Sequence, residues 1–84
     1  MTLQTALRKK SKLIYGTELV RKSALKKELS EIYCASNYPV GDFSRFEEIS
    51  ESSGFTLTRT KENSEELGAL LRKPFLISVI GVKK

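Results

Sequence analysis

The stretch Glu65–Val82, EELGALLRKPFLISVIGV, decides the fold class. It opens as an amphipathic turn of helix, breaks at the basic Arg72-Lys73-Pro74, and continues as an apolar run from Phe75 to Val82. Phe75, Ile77, Val79, Ile80 and Val82 are aromatic or β-branched, the residue types that suit a pleated, packed surface. The run has little polar alternation, so it predicts a strand covered on both faces, an interior strand of a layered α/β domain. Pro74 stands before this strand, where it removes no ladder donor. The basic break beside the strand is a place where a polyanion could dock.

Upstream, helix and strand patterns alternate. Residues 2–11 read as a short helix with Leu3, Ala6 and Leu7 on one face and Lys9, Lys10 and Lys12 toward its end, where cations complement the helix dipole. Lys12–Tyr15 reads as a short strand. Gly16-Thr17 then turns the chain into a helix over Glu18–Lys27, with Thr17 as N-cap, Leu19, Ala24 and Leu25 as the apolar stripe, and Arg21, Lys22, Lys26 and Lys27 outside. Leu29–Ala35 is the next strand, with Ile32 and Cys34 on one face, followed by the loop Ser36-Asn37-Tyr38-Pro39. A helix over Asp42–Ser53 carries Phe43, Phe46 and Ile49 at three-residue spacing and stops at Gly54. Phe55–Thr60 alternates as a more exposed strand. Asn63 with Glu66 three residues on has the form of a capping box, opening a helix whose buried stripe is Leu67, Leu70 and Leu71. Gly68 inside that helix costs about 1 kcal/mol of helix propensity, which implies close packing there. The order α-β-α-β-α-β-α-β predicts one three-layer α/β/α sandwich over residues 1–84 with a four-stranded mixed or mostly parallel sheet. The pattern does not say which strands run antiparallel.

The chain has 84 residues and a net charge of +5. Residues 1–27 hold eight Lys/Arg and one acid, residues 28–66 three Lys/Arg and nine acids, and residues 67–84 four Lys/Arg and none. If the cationic ends meet in space, one face is strongly positive, as a phosphate-backbone binder requires; the alternative is that the charges only solubilise a small domain. There is no His, which removes Ser-His-Asp and Cys-His catalysis and His-ligated metals together. No dinucleotide or P-loop motif is present. The expectation is a protein that is not an enzyme and takes no metal and no cofactor. The lone Cys34 cannot pair within the chain and suits a reducing, cytoplasmic compartment, as a small core residue. No apolar run approaches the roughly 20 residues a bilayer needs, so neither a secretory leader nor a membrane span is expected.

Tyr15-Gly16-Thr17-Glu18-Leu19-Val20-Arg21-Lys22 is a strand end, a glycine turn and a helix start. A helix N-terminus offers unpaired N–H groups to an anion, Gly16 lets a ligand approach the backbone, and Arg21 and Lys22 lie one turn in. Read plainly, the same octet is an ordinary βα turn with solvated charges. Asn37 reads equally as a turn residue, Phe75-Leu76-Ile77 as core, and Glu47, Glu48 and Glu51 as a solvated face.

YGTELVRKSALKK, then IYCASNYP, then EELGALLRKPFLISVIGV, in that order, resemble the L-thirty-e group of large-subunit ribosomal proteins of archaea and eukaryotes. That group belongs to the kink-turn-binding superfamily that also holds the L-seven-Ae proteins. The similarity runs from about Leu13 to Val82 and is strongest at Glu66-Leu67-Gly68, Lys73-Pro74-Phe75 and Ser78–Val82. It implies an α/β/α sandwich with a mixed four-stranded sheet, and the Gly16 turn, the Asn37 loop and the Arg72–Ile77 segment converging to grip a kinked rRNA. Backbone at the glycine and the following helix would meet sheared G·A pairs and phosphates, and the apolar loop before the last strand an extruded nucleotide. Together with the cations read above, the RNA-binding candidates are Gly16, Thr17, Glu18, Arg21, Lys22, Asn37, Arg72, Lys73, Phe75, Leu76 and Ile77. The pattern departs from the family where Glu18 and Leu19 replace the Asn-Glu pair of the L-seven-Ae branch, and where Arg72 replaces a usual glycine. The implied partners are rRNA and neighbouring ribosomal proteins, with a monomer expected off the ribosome. The other functions considered are a guide-RNA particle scaffold of the same superfamily and a protein–protein adaptor using the acidic helix over Asp42–Ser53.

Overall fold

The computed structural model describes residues 12–84, so the helix expected over residues 2–11 lies outside the described residues. The elements are β1 (Leu13–Tyr15), α1 (Thr17–Leu25), β2 (Leu29–Cys34), α2 (Val40–Ser53), β3 (Thr56–Arg59), α3 (Ser64–Leu70) and β4 (Val79–Lys83). The sheet order is β1-β4-β2-β3, with β4 antiparallel to both its neighbours and β2 parallel to β3. The sheet is mixed, and the antiparallel pairs that the pattern left open are those made by β4.

Side-chain alternation along the strands builds a core on each face of the sheet. On one, Ile32 and Cys34 of β2 and Val79 of β4 pack with Val20 and Ala24 of α1 and Phe46 of α2. On the other, Tyr33, Ile80 and Val82 pack with Leu67 of α3 and with Ile77. This is the expected sandwich. Leu29, Ile32, Leu67 and Ile80 are fully buried, each contributing about 1.5–3 kcal/mol through removal of apolar surface from water.

Three expectations need correction. The final strand begins at Val79, not at Phe75. Tyr15, the last residue of β1, pairs with Ile80, and Cys34, the last of β2, pairs with Val79. No neighbouring strand continues past that point to support a longer ladder. The preceding residues instead bond individually: the Ile77 N–H donates to the Ser64 carbonyl and the Ala35 N–H to the Ser78 carbonyl. Second, α1 presents Val20, Ser23 and Ala24 to the sheet, while Leu19 and Leu25 are exposed. The small side chains at 23 and 24 let the helix lie close to the sheet. Third, Leu70 is exposed, so the buried row of α3 is Ser64, Leu67 and Gly68, with Leu71 partly covered.

The helix ends follow their capping chemistry. The Asn63 side chain accepts from the Glu66 N–H (2.8 Å) while Glu66 accepts from the Asn63 N–H (3.1 Å), the expected capping box. At the other end of α3, Arg72 takes a left-handed φ of 56°, with Arg72 N–H donating to Ala69 and Lys73 N–H to Gly68. Lys27, at φ 60°, closes α1 in the same way. Both are Schellman ends with a basic residue where glycine is usual.

Gly68 is explained by packing: a Cβ there would collide with the Phe75 carbonyl. A Gly68→Ala variant is expected to lose about 1–3 kcal/mol, the usual cost of overpacking, in urea unfolding; an unchanged midpoint would show that the Phe75 segment yields freely. Burial pushes the Cys34 thiol up to about 12, partly opposed by Arg59. Its folded value lies above the unfolded one, so this contribution to stability is complete below the unfolded pKa and is lost as pH rises toward the folded value. Replacing Cys34 by Ala is expected to flatten part of the alkaline fall in Tm, and an identical pH profile would contradict this.

Candidate nucleic-acid interface

The ends of β1 and β2 and the start of β4 meet at one rim of the sheet, and the loops that leave them are tied together there. Gly16 sits at φ 104°, a conformation that favours glycine, and its N–H donates to the Val79 carbonyl (3.2 Å). Gly16, not Thr17, is the N-cap of α1, and no side chain caps the helix among the described residues. The first-turn amides of α1 are therefore left without a side-chain acceptor beside a turn where even an added Cβ would meet nothing within 4 Å. Glu18 is held by Arg21 at 2.7 Å, which offsets its negative charge at the rim. Lys22 is exposed and pairs with no carboxylate among the described residues.

The segment before β4 closes over this turn. Phe75 stacks at a tilt against Tyr15, ring centroids 5.9 Å apart, and the Lys73 ammonium lies 5.5 Å above the Tyr15 ring. Tyr15, Gly16, Thr17, Phe75, Leu76 and Ser78 line a cleft of about 380 Å³, shared with Ile77. Phe75 and Leu76 are 50% and 66% exposed, whereas Ile77 is only 2% exposed and packs in the core with Leu67 and Ile80. Ile77 therefore anchors the loop and offers no apolar side chain at the surface. Arg72 closes α3 and does not line the cleft.

Asn37 is engaged in structure. Its Oδ1 accepts from the Ser64 N–H (3.0 Å) and its Nδ2 donates to the Ser64 hydroxyl (3.2 Å), and the Ser64 carbonyl accepts from Ile77 N–H. The Asn37 loop, the start of α3 and the segment before β4 thus form one hydrogen-bonded unit. Sequence reasoning missed the residue that shapes this loop. Arg59 Nη1 donates to the carbonyls of Ala35 (3.2 Å), Ser36 (3.0 Å) and Tyr38 (3.0 Å), with its Cζ 4.4 Å from the Phe43 ring centroid. The available signal was a cation at the end of a strand in an acidic stretch. A smaller hollow of about 160 Å³ lies between the first turns of α1 and α2, lined in part by Thr17, Arg21, Tyr38 and Arg45. Burial holds the Tyr38 phenol above its usual pKa range, with Thr17 pulling the other way.

Gly16, Thr17, Phe75 and Leu76 therefore share one concave surface, with Lys73 at its edge and Glu18, Arg21 and Lys22 on the adjoining helix, while Asn37 is exposed and braces the start of α3 through Ser64. The surface joins backbone donors, cations and exposed apolar groups, which is the set needed to hold a phosphate backbone and an unstacked base. Among the described residues no cluster of His, Cys, Asp and Glu could hold a metal ion, and no helix is long and apolar enough to cross a membrane.

No protein-family model matches the sequence, and a search of the curated proteins found no match. Among solved structures, a protein of unknown function from Bacillus halodurans C is similar with a TM-score of 0.81 at 22% identity, covering 95% of this chain and 78% of that one. The 15.5kD RNA binding protein of Giardia lamblia is similar with a TM-score of 0.79 at 12% identity, covering 96% of this chain and 67% of that one. At these identities the likeness establishes a shared fold.

Substituting Arg59 by Met removes the donors that gather the Asn37 loop. Stability is expected to fall by about 1–3 kcal/mol, the range for a charged donor leaving carbonyls unpaired, with faster amide exchange at Ser36 and Tyr38. Wild-type exchange rates at both amides would show that the loop holds its shape without Arg59.

Proposed function

We propose that this chain binds a kinked RNA helix at the rim, as a structural protein of the large ribosomal subunit in the cytoplasm, and catalyses no reaction. The observation that carries the reading is the joining of the Gly16 turn, the Asn37 loop and the Lys73–Ser78 segment into a single bonded surface. Its supports are the resemblance of these segments to kink-turn binders and the fold shared with an RNA binding protein of Giardia lamblia. In this reading the uncapped amides at the start of α1 receive phosphate oxygens or base edges. Arg21, Lys22 and Lys73 neutralise the backbone. The extruded nucleotide of the kink rests on Phe75 and Leu76 in the cleft beside Tyr15, because an aromatic face accepts an unstacked base. Glu18, already paired with Arg21, adds little repulsion. The rRNA and adjacent ribosomal proteins are the partners.

Calorimetry with a kink-turn RNA and a straight duplex of equal length tests this reading. The kinked RNA is expected to bind more tightly, with affinity falling steeply as salt rises because counterions are released from each neutralised phosphate. Lys22→Ala is expected to weaken binding by about 1–3 kcal/mol if the ammonium makes a specific contact. Gly16→Val blocks backbone approach and is expected to abolish the preference for the kink. Equal affinity for both RNAs, or a Gly16→Val variant that still discriminates, would overturn the reading.

A further inference from the structure

The side of the molecule built from α2 and β3 breaks local rules of charge placement. Glu47 and Glu51 stand four residues apart on α2, where like charges repel, and Glu48 lies beside them. They occupy the C-terminal half of the helix, whose dipole favours cations, and the last turn holds no basic residue. None of the three has an ion-pair partner among the described residues. Such an unrelieved local conflict is expected where a surface serves a purpose other than stability.

Two further features adjoin these carboxylates. One is a groove of about 250 Å³ whose lining includes the apolar Phe43 and Leu57 together with Glu47 and Glu51. The other is the outer edge of the sheet. Among the described residues β3 pairs only with β2, and the Thr60 N–H points inward to the Cys34 carbonyl. By the alternation of a strand, the N–H and C=O groups of Leu57 and Arg59 point outward. Edge strands are usually guarded by an outward charge, a proline or a bulge. Here the guanidinium of Arg59, the sole charged group on β3, is turned onto the carbonyls of Ala35, Ser36 and Tyr38, and the edge is left unguarded.

We propose that this edge is a docking site for a basic peptide segment that adds to β3 as an extended strand. Its backbone pairs with Leu57 and Arg59, an apolar side chain enters the groove between Phe43 and Leu57, and a Lys or Arg two residues away on the same face meets Glu47 or Glu51. Charge selects this occupant: Glu47 and Glu51 line the groove with no ion-pair partner among the described residues, so a cationic strand gains where an acidic or neutral one does not. Backbone pairing supplies affinity and the groove supplies specificity, as in other strand additions. Glu51 and the start of β3 lie at the end of the sheet away from the Gly16 rim, while Arg59, at the other end of β3, stands level with Cys34. This inference does not depend on RNA binding.

The test is amide-resolved NMR titration of the full chain with an end-capped peptide, Lys-Thr-Val-Thr-Lys, beside its Glu-Thr-Val-Thr-Glu counterpart and a fully N-methylated copy. The basic peptide is expected to shift the Leu57 and Arg59 amides and protect them from exchange, and the other two are expected to do neither. The double variant Glu47→Gln with Glu51→Gln, at exposed positions that leave the fold intact, is expected to bind about three- to tenfold more weakly, the effect of losing two exposed ion pairs. Equal binding by the N-methylated copy, an unchanged affinity in the double variant, or no shift with any peptide would overturn the proposal. So would the same amides shifting when the protein alone is concentrated, because the edge would then belong to a second copy of this chain.

Discussion

Strand β4 is antiparallel to both of its neighbours, and much of the molecule follows from that constraint. A strand that enters the sheet beside two strands running the other way must start where both of them end. Tyr15 meets Ile80 and Cys34 meets Val79, so the turn after β1, the loop after β2 and the segment before β4 leave from one rim. Parallel pairing throughout would place the start of β4 at the opposite end from those loops. The hydrogen bonds from Gly16 to Val79, from Ala35 to Ser78 and from Ile77 to Ser64 then lock the three segments together. Covered on both faces, β4 contributes Val79, Ile80 and Val82 to the two cores, so the geometry of the rim is tied to the stability of the fold.

Much of this was legible in the residues. The apolar run at Phe75–Val82 identified an interior strand, the period of Phe43, Phe46 and Ile49 a core helix, and Asn63 with Glu66 a helix start. Gly68 announced a close approach, and the Phe75 carbonyl is what approaches it. The errors have a common cause. Propensity and periodicity describe a segment, whereas the extent of a strand depends on how far its neighbours run. Phe75 and Leu76 have the composition of a core strand and are exposed because β1 and β2 have already ended. Leu19 and Leu25 lost the buried face of α1 to Val20 and Ser23, while Ala24 is buried as expected; the small side chains at 23 and 24 let the helix lie close to the sheet.

The candidate site was legible as a set of segments and less so as a set of roles. The glycine turn was marked by its position between strand and helix, and the structure places Phe75 and Leu76 beside it. Asn37 carried no sign that its partner would be Ser64, 27 residues away. Arg72 stands out as a basic residue in a position where a helix end of this kind usually has glycine. Its left-handed backbone is the physical reason: the end of α3 needs that conformation, and a side chain there costs about 1–2 kcal/mol relative to the right-handed region. Arg59 was invisible because its bonds run to loop carbonyls, and no sequence pattern encodes an acceptor of that kind.

Segment mapping tests the central claim most directly, because it asks whether the rim acts as one surface. Titrating the amide-resolved protein with a kink-turn RNA should move the Gly16–Lys22 turn, the Asn37 loop and the Lys73–Leu76 segment along a single saturation curve, leaving the amides from Glu47 to Leu57 in place. Shifts confined to one of those segments, or separate curves for each, would contradict an account in which the antiparallel placement of β4 assembles a single RNA-binding surface.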